Sequence, residues 1–204
     1  MMNDIDKFYQ DNLKQFGSTA KGVGWKNDEA QSVRFSQLFK LVTTKEKFSI
    51  NDLGCGVADF VDFLNGEKAN FVYRGYDMMP EMIQRAKNKF ADNELVLLQT
   101  IANIAEISPA DYTIASGIFN IRLITSDEIW LRHILDTITM MNSKSRLGFA
   151  FNILSIYSDS EFRKAELYYA DPLYLFDYCK RTFTQNVAVL HDYGQYDFTI
   201  IVRK

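Results

Sequence analysis

The sequence is poor in the residues that special compartments and special folds demand. It holds two cysteines, Cys55 and Cys179. Thiols so far apart build no disulfide framework, and neither sits in a zinc-ligand spacing, so no metal site is expected. Prolines are as scarce, only Pro80, Pro109 and Pro172. With no Gly/Ser-rich tract beside them, nothing marks a linker between large domains. No run approaches the roughly 18 apolar residues of a membrane span. The opening MMNDIDKFYQ has neither the basic nor the apolar region of a secretory signal, so a cytoplasmic location with reduced thiols is expected. Basic charge is not in excess, since 23 Lys+Arg against 26 Asp+Glu leave −3. A nucleic-acid partner needs clustered cations and is not expected. The basic pair Lys180-Arg181 reads as a helix end.

What is present is an ordinary globular composition, 47% apolar and 24% charged over 204 residues. A chain of that length buries about 70% of its unfolded surface and supports one good core. Ile5, Phe8, Tyr9, Leu13 and Phe16 recur at helical spacing, and a second helix from Asn27 or Asp28 carries Ala30, Val33, Leu38, Leu41 and Val42.

Beyond residue 46 short apolar runs alternate with helical stretches. Strands are predicted at 48–54, 70–77, 95–99, 111–118, 146–153, 186–192 and 196–204. Helices are predicted after Gly56, from Pro80 to Phe90, behind a Thr125/Glu128 capping-box pattern, and over 173–183. Strand–helix alternation implies a mostly parallel sheet covered on both faces. The last two strands are joined too tightly for a crossover, so the final strand is antiparallel. Ligands of such sheets bind at the carboxyl ends of the strands.

Those ends carry a pattern. Asp52-Leu53-Gly54-Cys55-Gly56 lets the backbone turn tightly and lets a ligand approach it. Asp77 ends the second strand 21 residues after Gly56, where a carboxylate can accept both hydroxyls of a ribose. A dinucleotide loop would place a third glycine where Asp59 stands, and acidic groups at 52 and 59 suit a cationic ligand better than a pyrophosphate.

INDLGCGVADF followed by YRGYDMMPEMIQRAK resembles the first glycine motif and the acidic motif after the second strand in class I S-adenosylmethionine-dependent methyltransferases. The resemblance covers about residues 46–204. It implies a seven-stranded Rossmann-like α/β domain over 46–204, an N-terminal helical cap over 1–45, and S-adenosylmethionine as cofactor. Asp52, Gly54, Cys55 and Gly56 would lie along its methionine part. Asp77 would hold the ribose, with Met78 beside the adenine and Thr100 and Ile101 on the adenine's other face. Ser116 and Gly117 would face the methionine and the acceptor. Ala58 departs from the family, many of whose members have a third glycine there, and the acidic residue usual near Thr100 is missing.

Polar and aromatic residues at the ends of strands four to six suggest an acceptor site: Asn120, Arg122, Asn152, Tyr157, Tyr168, Tyr169, Asp171, Asp192 and Tyr193. His191 is expected there either as a general base or as a structural histidine. Arg122 would pair with an acceptor anion or a surface carboxylate. From the cap, Trp25, Gln31 and Arg34 either close on the substrate or form an anchored, solvated face. His133 reads as solvated, and Met79 and Met82 as core. The short chain and the lack of a basic surface favour a small-molecule acceptor, methylated on oxygen or nitrogen by a monomer or homodimer. An NAD-dependent oxidoreductase and a non-catalytic relative are the competing readings. The fourth strand ends in SGIFN, without the Pro-Pro motif familiar in base methylation.

Overall fold

The strands Phe48–Leu53 and Ala110–Ala115 are buried on both sides, as strands covered on both faces must be. The computed structural model describes residues 28–204; the helix expected over 4–16 and Trp25 lie outside the described residues. Helix α1 (Asp28–Phe39) leads into β1 (Phe48–Leu53), α2 (Asp59–Gly66), β2 (Phe71–Asp77), α3 (Pro80–Lys89) and β3 (Val96–Thr100). A 3-10 turn at Ile104–Glu106 precedes β4 (Ala110–Ala115), α4 (Asp127–Lys144) and β5 (Ser145–Leu154). Helix α5 (Pro172–Thr182), β6 (Val187–Leu190) and β7 (Asp197–Arg203) complete the chain.

The sheet order is β3-β2-β1-β4-β5-β7-β6. Pairs from β3 to β5 are parallel, and β7 runs antiparallel between β5 and β6. The side-chain period of two sorts each strand between two cores. Phe149, Phe151 and Ile153 of β5 face α4 and α5, whereas Ala150 faces α1, α2 and α3. Helix α4 buries Trp130, Ile134, Thr137, Ile138 and Met141, one stripe at helical spacing. On the other face Phe35 of α1 packs edge-on against Phe60 of α2, ring centroids 5.0 Å apart. Through Phe35, Leu38 and Leu41, the described part of the expected cap is packed into the core of the sheet.

The start of α4 differs from expectation. Its cap is Ser126, whose hydroxyl accepts from the Ile129 amide (3.4 Å), while the Thr125 amide closes a turn onto the Arg122 carbonyl. The helix begins one residue later than the Thr125/Glu128 pattern requires.

Candidate active site

The glycine loop is built from left-handed backbone. Gly54, Gly56 and Ala58 have φ of 73°, 55° and 62°, three reversals in five residues that fold the chain back over the end of β2. The Gly54 and Cys55 amides both donate to the Tyr76 carbonyl (2.7 and 3.1 Å). Asp77 then ties loop to helix: one carboxylate oxygen accepts from the Gly56 amide and the other from the Met79 amide, both at 2.9 Å.

Beneath the loop, Asp52 is buried and accepts from the Tyr73 hydroxyl at 2.7 Å. Burial, helped by the nearby charges of Asp77 and Asp59, pushes its carboxyl up to about 7, against the hydrogen bond from Tyr73. Burial, with the charges of Asp77 and Asp52, pushes the Cys55 thiol up, so it stays protonated and unreactive. Its sulfur lies over Gly75, where an added Cβ would come within 2.8 Å. Asp59 is compensated, because Lys89 bridges Asp59 and Asp62 at 2.7 and 2.6 Å.

At the end of β4 the buried Asn152 of β5 accepts from the Gly117 amide (2.8 Å) and donates to the Ser116 hydroxyl (3.1 Å). Asn120 accepts from the Leu154 amide at 3.0 Å. These contacts fix the segment that leads away from β4.

A cavity of about 980 Å³ opens above these strand ends. Its wall contains Asp52, Gly54, Cys55, Gly56, Asp77 and Met78, with Ile101, Ser116 and Gly117 farther along. Gln31, Arg34 and Asn120 also line it. Arg34 nevertheless has both arms of its guanidinium on Asp197, at 2.7 and 2.6 Å.

Other expected residues are not brought to the wall. Thr100 ends β3 at the surface, while the next residue, Ile101, turns inward. Arg122 donates to the carbonyls of Leu167 and Thr125 and pairs with Asp127, so it holds the loop after β4. Asn152 acts behind Gly117. Tyr168 is buried in the core beside α5, and the Tyr169 hydroxyl accepts from the Lys164 amide. Tyr193 meets the Thr199 hydroxyl at 3.1 Å. Asp171 caps α5 through the amides of Leu173 and Tyr174. His191 follows β6 at the exposed edge, its ring against Tyr157 and Phe198, outside the cavity wall.

The wall also holds residues that sequence reasoning set aside. Met79 and Met82 pack with Val57 in a small apolar cluster and border the cavity as well. Helix α4 contributes Trp130, His133, Asp136, Thr137 and Met140. Their spacing along one helix side is a signal, but it reads the same beside solvent as beside a cavity.

No family model matches the chain. A Mycobacterium tuberculosis (strain ATCC 25618 / H37Rv) protein named "Putative methyltransferase Rv1506c" is 46% identical over 165 residues, covering 81% of this chain and 98% of the relative. The chain belongs to the class I S-adenosylmethionine-dependent methyltransferases. Solved structures share the fold of this methyltransferase. The magnesium protoporphyrin IX methyltransferase of Synechocystis PCC 6803, crystallised with S-adenosylhomocysteine, covers 100% of both chains at a TM-score of 0.68 and 13% identity. The DhpI-SAM-HEP complex covers 98% of this chain and 96% of its own at 0.66 and 13%. Human N-acetylserotonin methyltransferase, in complex with S-adenosylmethionine, covers 86% of this chain and 53% of its own at 0.61 and 16%.

Proposed function

We propose that the protein transfers a methyl group from S-adenosylmethionine to an oxygen or nitrogen of a small-molecule acceptor. The observation that carries this reading is the Asp77 carboxylate, fixed by the amides of Gly56 and Met79 at the lip of the cavity. A carboxylate held there meets a ribose diol, and the left-handed glycine loop beside it presents backbone to a ligand. Buried acid at Asp52 suits a cationic methionine moiety. The cavity, at about 980 Å³, stands at the upper end of the roughly 300–1,000 Å³ typical of small-ligand sites, room for a cofactor and a modest acceptor together.

When bound, the sulfonium supplies an already electrophilic methyl group. The chain's work is then alignment and exclusion of water. Asn152 fixes Ser116 and Gly117 beneath the transfer point, and Gln31, Asn120 and Leu167 wall the acceptor side. Neighbours of the same fold are named for small acceptors, a porphyrin and N-acetylserotonin. A cytoplasmic monomer or homodimer fits this use.

Calorimetry with S-adenosylhomocysteine tests the reading. The parent protein binds it, and Asp77→Ala loses two charge-assisted hydrogen bonds, a drop of roughly a hundredfold or more. Unchanged affinity in a folded Asp77→Ala protein would remove the basis of the proposal.

A further inference from the structure

One lobe of the cavity lies between the turn after β3 and helix α4, and its two walls are chemically opposite. The turn has spent its polar groups on itself. The amides of Ala102 and Asn103 both donate to the Glu106 carboxylate, at 3.0 and 2.8 Å. The Asn103 side-chain oxygen accepts from the Ala105 amide at 2.8 Å. What remains facing the lobe from this side is largely apolar, with Ile101 and Ile104.

Helix α4 faces it with His133, Asp136 and Thr137, at i, i+3 and i+4 on one side of the helix. None of the three makes a hydrogen bond to another described residue. Thr137 is only 6% exposed, yet its hydroxyl does not turn back onto the helix backbone as buried threonines commonly do. The hydroxyl oxygen is not among the fully buried unpartnered atoms, so the little surface it keeps opens to the cavity, where a ligand group can complete it. The His133 ring lies 5.0 Å from that of Trp130. Burial pulls its pKa below the ordinary 6.5, against the pull of Asp136, so at neutral pH it offers one donor and one acceptor.

Position decides what this wall meets. Asp77 ends β2, and β3 is the next strand outward and the edge of the sheet. A base carried on a ribose at Asp77 falls toward the turn after β3. On the reading above, the acceptor lies the other way, beyond Gly117 and Asn120, which follow β4 on the far side of β1. We propose that α4 reads the nucleobase of the cofactor: Asp136 accepts from its exocyclic amine, Thr137 and His133 complete its polar edge, and Met78 and Ile101 pack its faces. This assignment rests on the S-adenosylmethionine reading above and moves base recognition from the turn after β3 to the helix after β4.

The test compares S-adenosylhomocysteine with S-inosylhomocysteine, which carries a 6-oxo group in place of the amine, by calorimetry on the full chain. The parent protein prefers the adenosine ligand by about 10- to 100-fold, the worth of one charge-assisted hydrogen bond. Asp136→Asn loses most of that preference. Thr137→Val, an isosteric change, weakens both ligands several-fold while circular dichroism matches the parent. If the parent binds S-adenosylhomocysteine and both variants keep its affinity and its preference, the assignment to α4 is wrong. If the parent binds neither ligand, the cofactor reading itself falls and takes this assignment with it.

Discussion

Arg34 on α1 and Asp197 at the start of β7 form a buried, two-armed ion pair across 163 residues of sequence, with nitrogen–oxygen distances of 2.7 and 2.6 Å. The carboxylate side chain is fully buried and the arginine side chain is 11% exposed. The pair fastens α1 to the antiparallel strand and supplies part of the cavity wall at the same time. Removing one partner strands the other charge in the core. Arg34→Met is therefore expected to cost about 3–5 kcal/mol, read as a fall in urea midpoint with little change in slope. The double variant Arg34→Met/Asp197→Leu regains much of that loss, since an apolar pair of similar volume needs no compensation. A double variant as unstable as the single one would assign the loss to packing of α1 instead.

Ala58 sits at φ 62° and ψ 38°, fully buried at the entry to α2. Left-handed backbone costs an alanine about 1–2 kcal/mol, and glycine gives back about 0.4–1 of any gain through its freer unfolded chain. Ala58→Gly should stabilise the protein by about 0.5–1 kcal/mol, a rise of about 1–4 °C in melting temperature for a chain of this size. A lower melting temperature would mean that the Ala58 methyl contributes more to packing than its backbone conformation costs.

Much of this fold was legible because two signals agreed. Parallel strands such as FSINDL are buried almost throughout, and the helices between them carry one apolar stripe each. Strand ends were less so. The strand expected over 111–118 stops at Ala115, because Gly117 turns to φ 77° and its amide is captured by Asn152. In the site, the residues of the glycine loop and Asp77 stood out because backbone geometry demands them. The acceptor set did not separate so well. Arg122 and Asp171 have the same chemistry whether they meet a ligand or, as they do, carbonyls and helix-end amides. His133 lies one position off the apolar stripe of α4, and nothing in sequence distinguishes a helix side that borders water from one that borders a cavity.

Gly54 is constrained twice. Its φ is 73°, and a Cβ there would come within 2.2 Å of the Ile118 γ2 methyl. Gly54→Ala must accept left-handed strain of about 1–2 kcal/mol and push Ile118 off its rotamer for about 0.5–1.5 more. Ile118 lines the cavity, so its displacement carries into the site. The expected variant folds, melts several degrees lower and binds S-adenosylhomocysteine more weakly. Adding Ile118→Ala should restore part of the binding but not the backbone cost. If Gly54→Ala matches the parent in both measurements, the loop has more room than the contact with Ile118 implies.

Asp52 makes the site sensitive to pH near neutrality. Its folded pKa is about 7 against an ordinary 3.8, because burial outweighs the hydrogen bond from Tyr73. The folded protein therefore keeps a proton that the unfolded chain releases. Asp52's contribution to stability is fully present below pH 4 and is lost as pH rises through 7, by up to about 4 kcal/mol. Asp52→Asn should flatten that part of the stability curve between pH 4 and 7 while leaving the remainder in place. A cationic ligand reverses the balance, since positive charge beside Asp52 favours its carboxylate. Binding of S-adenosylmethionine at pH 7 should then release roughly half a proton and tighten as pH rises from 6 to 8. Calorimetry in two buffers of different ionisation enthalpy reads that release directly, and Asp52→Asn should abolish it. Equal heats in both buffers for the parent protein would mean that the ligand's positive charge does not lie beside this carboxyl group.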